Sequence, residues 1–402
     1  MTATHSHHQT SSSPKRALVP RPKSILLGVT IDGSLDFYGD LPRALARDGW
    51  VVHVCAGPGR RMASLRGVPR VQVHVIPMNR TPSIFSDLLA LVRWIRLMRA
   101  IRPDVTFIGT PKAGLLGNLA ARILKVPRRI YVLHGLRLET STGVARWILL
   151  HLERLTARCA HEVLCVSESL RQLAVRMSIT TDGKAIVLGA GSCNGIDVGH
   201  FQEVSRRQGR ARELADTIDL DPTLPTVGFV GRLTRDKGLP ELAGALRLLL
   251  QEGVRVQLLV LGSIDDRSGR TALAELNDTG QKIVAVGYQD DAAFFYPLMD
   301  VFCLPSLREG LGTVILEAMA SGTVVVGTNA TGIISLIEPG VNGFLVPRRS
   351  AQRLAEALRS AIEHRSFAQQ LATNALSMVI ERYDTSVVQR RLCDYLAQFV
   401  AR

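Results

Sequence analysis

Aromatic residues are scarce, at 5% of 402 positions with three tryptophans. No basic stretch is interleaved with them and no recognition helix is apparent, which speaks against a nucleic-acid-binding protein despite a pI near 10.1. The six cysteines (Cys55, Cys159, Cys165, Cys193, Cys303, Cys393) form no C-x-x-C pair. Clustered spacing is what disulfide frameworks and structural zinc need, so these read as small buried apolar side chains in a reducing compartment. No apolar run approaches the eighteen or so residues that span a bilayer. Also missing are the P-loop, the dinucleotide G-x-G-x-x-G, the G-x-S-x-G elbow and H-E-x-x-H. Residues 1–22 are rich in His, Ser, Thr and Pro without an apolar core, so they read as a disordered tail and not a signal peptide.

What is present is an uneven charge. Lys and Arg outnumber Asp and Glu 49 to 35, for a net +14. Residues 1–200 hold 27 basic against 12 acidic residues, and the rest of the chain is close to neutral. One half therefore meets something anionic: a nucleic acid, a membrane surface or a phosphorylated substrate. The arithmetic alone does not choose among them.

At roughly 150 residues per domain the length suggests two domains. Short apolar, β-branched runs alternate with helical stretches: 24–29, 50–55, 71–76, 104–108, 129–133 and 162–166. Strand, helix, strand in about thirty residues implies a parallel sheet. The pattern lapses in the polar stretch 203–224 and restarts with strands at 226–230, 257–261, 282–286, 301–304, 323–327 and 343–346 and helices at 239–251 and 313–320. The fold class is α/β, with two Rossmann-like doubly wound domains facing a central cleft. The expected division is a tail at 1–22, a first domain at 23–202, a linker or short helix at 203–224, a second domain at 225–380, and a C-terminal helix at 381–402 that returns to the first.

Two segments concentrate chemistry. In Pro305–Gly322 a strand ends at a Pro-Ser turn, Gly310 and Gly312 follow, and a helix opens at Thr313. Its unpaired N–H groups make a phosphate seat. Glu309 and Glu317 flank it, on the order of 10 Å apart, too far for a paired-carboxylate hydrolase but suited to two ends of one ligand. In Phe229–Gly238 a strand runs into Gly231-Arg232, with Lys237 before the next helix. Two cations there would clamp a diphosphate. A third candidate is Ser86–Pro103, where Arg93, Arg96, Arg99 and Arg102 recur every three residues on an apolar helix. It reads as a crossover helix with a solvated stripe or as a face for anionic lipid.

The Arg232…Lys237 pair, the Glu309…Glu317 spacing, Asn194-Gly195-Ile196-Asp197…Phe201 and Val286-Gly287-Tyr288 together resemble family 4 retaining glycosyltransferases of the GT-B fold. Pro77-Met78-Asn79-Arg80, Thr110-Pro111-Lys112-Ala113-Gly114 and His134-Gly135-Leu136 are similar to the bacterial capsule and exopolysaccharide branch. The resemblance spans about residues 24–395. It implies that Arg232 and Lys237 neutralise the donor diphosphate and that Glu309 holds donor-sugar hydroxyls. Gly231, Gly310, Leu311, Gly312 and Thr313 would line the donor seat, Glu317 would bind the ribose, and Tyr288 would lie near the nucleobase. His134 would face the donor sugar from the first domain, and Lys112 would lie on the acceptor side. It further implies no metal and no cofactor, a nucleotide-sugar donor (a UDP-sugar in this branch), and a polyprenyl-diphosphate-linked glycan as acceptor. The expected location is cytoplasmic, peripheral on the inner face of the cell membrane. Two positions depart from the pattern: Gly327-Thr328-Asn329 replaces a small-residue turn, and Gly109 stands where branch members often carry a polar residue. A soluble transferase of secondary metabolism shares the donor site and needs no membrane face. A sugar-nucleotide epimerase of the same fold would have little use for the basic first half.

Overall fold

The computed structural model describes residues 23–79, 83–264 and 267–399. The expected tail and Arg80 lie outside them. The first sheet uses strands β1 (Ser24–Gly28), β2 (Val51–Ala56), β3 (Val71–Val75) and β4 (Val105–Gly109). It continues with β5 (Arg128–Leu133), β6 (Glu162–Cys165) and β7 (Ala185–Ile186). The connecting helices are α1 (Leu41–Arg47), α2 (Arg60–Ser64), α3 (Ile84–Ile101), α4 (Pro111–Ile123), α5 (Gly143–Cys159) and α6 (Glu168–Arg176). All pairs are parallel, in the order β3-β2-β1-β4-β5-β6-β7. Central strands such as β1 and β4 are buried at every residue, because crossover helices cover both faces. That is why they read in the sequence as unbroken apolar runs.

The stretch 203–224 is polar yet largely helical: α7 (Val198–Arg206) and α8 (Gln208–Thr217) bridge to the second sheet. That sheet comprises β8 (Thr226–Val230), β9 (Gln257–Leu261), β10 (Lys282–Gly287), β11 (Val301–Leu304), β12 (Val324–Thr328) and β13 (Phe344–Val346). Its order is β10-β9-β8-β11-β12-β13. The helices are α9 (Leu239–Gln251), α10 (Arg267–Asn277), α11 (Thr313–Ala320), α12 (Ala351–Glu363), α13 (Arg365–Tyr383) and α14 (Thr385–Ala397). In each sheet the strand order reverses at one point, between β1 and β4 and between β8 and β11. Crevices open at the carboxyl ends of strands at such points.

The chain passes between the sheets twice, and the two passages are bonded to each other. Ile196 N–H donates to the Tyr383 carbonyl at 2.8 Å, and Thr385 N–H to the Ile196 carbonyl at 2.9 Å. Gly195 permits this. Its φ is +72°, and a Cβ there would lie 2.6 Å from Thr385 Cα. Beyond the crossing, α14 packs on α1, and Tyr395 donates its hydroxyl to Glu162 of β6.

Gly195→Ala therefore meets both a left-handed backbone, costing about 1–2 kcal/mol, and a clash with main chain. Gly253, at φ +82° with nothing within 4 Å of its Cβ position, meets only the first. Urea unfolding should show Gly195→Ala losing roughly 2–4 kcal/mol and Gly253→Ala about half of that. Equal losses would mean that the paired crossing does not hold.

Candidate active site

The C-terminal edges of the two sheets enclose a cleft of about 1680 Å³. On the first side, Thr30 and Thr110 tie the crevice together where the strand order reverses. Their hydroxyls lie 2.8 Å apart, and Ala113 N–H of α4 donates to Thr30 Oγ1 at 3.1 Å. This anchors the start of α4 at the cleft, and with it Lys112, whose ammonium sits 2.6 Å from Asp87. His134 follows β5 and stacks on Phe37 with ring centroids 4.4 Å apart. Burial drives its pKa down to about 3, so at neutral pH the ring is an uncharged imidazole. Its Nε2 is enclosed without a hydrogen-bond partner among the described residues. Gly109 makes the room: a Cβ there would lie 2.6 Å from that nitrogen.

On the second side, Arg232 lines the cleft with Gly231, and Tyr288 stands on its rim, 61% exposed. Lys237 and Glu309, expected as separate ligands, are bonded to each other at 2.5 Å. Ser306 donates to the same carboxylate oxygen at 2.7 Å. Beside them runs a second ion pair that sequence reasoning did not find, Arg308 with Asp236 at 2.7 Å. Burial pushes the Asp236 carboxyl up, but the Thr234 hydroxyl and the charges of Arg308, Lys237 and Arg232 outweigh it and hold the pKa below its usual value. Arg308 also donates to Thr140 of the first side at 3.0 Å. Neither partner of this second pair carries a sequence signal beyond adjacency to a candidate residue.

Glu317 lies inside α11, where the Tyr296 hydroxyl donates to it at 2.7 Å. Burial raises its pKa, opposed by that hydrogen bond. Like Lys237, Glu309 and Gly310–Thr313, it is not among the residues that line the cleft. The segment Gly310–Thr313 meets the first domain directly: a Cβ on Gly310 would lie 1.9 Å from the His134 carbonyl oxygen. The N–H groups of Gly310, Leu311 and Gly312 make no hydrogen bond among the described residues. Gly327 is explained too, since a Cβ there would meet Ile333 and Ile337 within 2.8 Å. Arg93, Arg96 and Arg99 are exposed along α3, Arg102 is exposed just past its end, and none of the four lines the cleft.

Comparison with known proteins agrees with this architecture. The family described as glycosyl transferases group 1 matches residues 212–378, and the glycosyl transferase 4-like domain matches residues 37–191. The chain is 31% identical over 370 residues to the capsular polysaccharide biosynthesis glycosyltransferase CapM of Staphylococcus aureus, covering 90% of this chain and 94% of that one. It is 23% identical over 294 residues to the Escherichia coli UDP-Gal:alpha-D-GlcNAc-diphosphoundecaprenol alpha-1,3-galactosyltransferase, covering 72% and 74%. Among solved structures, Anabaena HepE in complex with UDP and glucose superposes with a TM-score of 0.77 at 21% identity, over 94% of this chain and all of that one.

The packing of His134 against Gly109 is open to test. In Gly109→Ala the new methyl displaces the imidazole from its enclosure. A histidine NMR titration should show the His134 pKa climbing from about 3 towards the ordinary range near 6.5. An unchanged titration would mean that the ring is not seated against residue 109.

Proposed function

Because the chain belongs to the group 1 glycosyltransferases, we propose that it transfers a sugar, with retention, from a UDP-sugar to a polyprenyl-diphosphate-linked glycan. The enzyme class is a nucleotide-sugar-dependent glycosyltransferase. The proposal concerns the donor base, the acceptor and the roles of the residues. The relatives support it by what they act on: one takes UDP-Gal to a diphosphoundecaprenol-linked sugar, and another acts in capsular polysaccharide synthesis.

The observation that carries the site assignment is the Lys237–Glu309 pair. A donor brings a diphosphate for the ammonium and sugar hydroxyls for the carboxylate, so one ligand satisfies both groups as it parts them. Expelling the nucleoside diphosphate builds charge on the β-phosphate. In this reading Lys237, once the donor has parted it from Glu309, joins Arg232 and the unbonded N–H groups of Gly310–Gly312 in stabilising it. The chain thereby supplies the neutralising charge itself, and we propose that turnover needs no metal ion. The acceptor hydroxyl then attacks the face that the diphosphate leaves and passes its proton to a phosphate oxygen, with no protein nucleophile.

The first helical layer supports a membrane-bound acceptor. No helix among the described residues is long and apolar enough to cross a membrane. The expected arginines on α3 are exposed, and the sequence reading missed what accompanies them. Ile84, Phe85, Leu88 and Leu89 are 50–89% exposed at the start of α3. On α5 the usual polarity is inverted. Glu153, Thr156 and Ala157 face inward, Glu153 accepting a hydrogen bond from Tyr131 at 2.8 Å. Val144, Trp147, Ile148, Leu152 and Leu155 face outward at helical spacing, 39–74% exposed. Both α3 and α5 pack on α4, and Asp87 of α3 bonds Lys112 of α4. The helices α3, α4 and α5 carry eight basic and two acidic residues, and Asp87 and Glu153 are already engaged. A bilayer with anionic headgroups complements this face. A two-fold copy would set arginine against arginine.

Lys237→Ala and Arg232→Ala should each lower donor turnover about 10²–10³-fold, and excess EDTA should leave the wild type unchanged. A panel of UDP-, GDP- and dTDP-sugars tests the base. Wild-type rates in both variants would remove the diphosphate assignment, and loss on chelation restored by Mn²⁺ would remove the metal-free one.

For the membrane, the wild type should sediment with vesicles of phosphatidylglycerol and phosphatidylcholine and be released as salt rises. The Phe85→Ser/Leu88→Ser/Trp147→Ser variant should stay in solution with donor hydrolysis intact. Sedimentation of that variant, or a wild-type dimer that it dissolves, would overturn the bilayer as occupant.

A further inference from the structure

The end of β6 reaches across the cleft into the donor side. Ser167 is fully buried. Its oxygen caps α6 by accepting from Leu170 N–H at 3.3 Å, and its hydroxyl donates to the Gly310 carbonyl at 2.7 Å, 143 residues away. A hydroxyl can do both at once, having one hydrogen and two lone pairs. Two residues on, Ser169 makes a reciprocal contact. Its N–H donates to Ser335 Oγ at 3.1 Å, and its own Oγ accepts from Ser335 and from Gly332 N–H, both at 2.8 Å.

These bonds converge on one peptide. Gly332, at φ +84°, packs flat on it: a Cβ there would lie 2.7 Å from the Gly310 carbonyl and 2.8 Å from Leu311 N. Thr331 accepts the N–H of Glu309 at 3.1 Å, and its side chain donates to Glu139 of the first domain at 2.6 Å. The Gly310–Leu311 peptide is thus gripped at its oxygen by Ser167 and covered on one face by Gly332, which Ser169 holds in turn. A trans peptide is planar with C=O and N–H opposed. Fixing the oxygen towards Ser167 therefore turns Leu311 N–H to the other side, where it has no partner among the described residues.

We propose that Ser167 and Ser169 are positioning residues that set the Gly310–Leu311 peptide from the opposite sheet and aim Leu311 N–H at the leaving group. This rests on the reading of Glu309–Gly312 as the donor loop. The donor seat is then complete only while both sheets are apposed. A first domain that draws back releases the peptide to rotate, which lowers the rate by turning Leu311 N–H away while the other donor contacts of the second domain stay in place.

The test compares Ser167→Ala, Ser169→Ala and, as a control on the loop itself, Glu309→Ala. Hydrolysis is followed with whichever of UDP-glucose, UDP-galactose and UDP-N-acetylglucosamine the wild type cleaves fastest. Binding of UDP is followed by calorimetry, and amide exchange over residues 305–316 by mass spectrometry. In the serine variants kcat should fall about 10- to 100-fold, with KM and the UDP Kd within threefold and faster exchange in that segment. A kcat within twofold of wild type, an equal loss of UDP affinity, or unchanged exchange overturns the proposal. If Glu309→Ala alone retains full kcat, the donor-loop reading fails instead. If the wild type cleaves none of the three sugars, the exchange result decides by itself.

Discussion

Two parallel sheets can build one active site only where their C-terminal edges touch, and here the touch is main chain on main chain. Gly310 lies so close to the His134 carbonyl that no other residue fits. The rest of the site follows from that contact. It places Glu309 one residue from the domain boundary and within reach of Lys237. It brings Arg308 to Thr140. Two ion pairs lie beside this contact, Lys237–Glu309 and Arg308–Asp236. A mostly buried ion left alone there would be costly, and each pair keeps its members ready without leaving either uncompensated.

Much of this was legible in the sequence, for a physical reason. Strands buried on both faces must be apolar throughout, so β1, β4, β8 and β11 announce themselves. The exception, β7, has two residues and no pattern to show. Residue type and local spacing also pointed to Arg232, Lys237 and Glu309, because a strand end, a glycine and a charge are neighbours in the chain. What the spacing did not carry was partnership. That Lys237 neutralises Glu309 depends on a separation of 72 residues, and that Ser169 meets Ser335 on one of 166. No local rule encodes either.

The helices show the same limit differently. An apolar stripe at three- and four-residue spacing is readable on α5, but its direction is not. The ordinary expectation turns such a stripe inward. Here a carboxylate bonded to Tyr131 takes the inner position, and the stripe is left outside. On α3 the arginines drew attention in the sequence, whereas Phe85, at 89% exposure, is the more unusual residue.

The return of the chain's end to its beginning has a consequence for how such enzymes diversify. Because α14 packs on α1, and Tyr395 bonds β6, the sequence order of the two halves is not their physical partition. A recombination joining the first 200 residues of one relative to the remainder of another would import a foreign α14 onto the native α1. It would also re-pair Ile196 with a foreign Tyr383 and Thr385 at the crossing. Exchange of the second sheet between lineages is thus least disruptive as an internal cassette, spliced in after one crossing and out before the other.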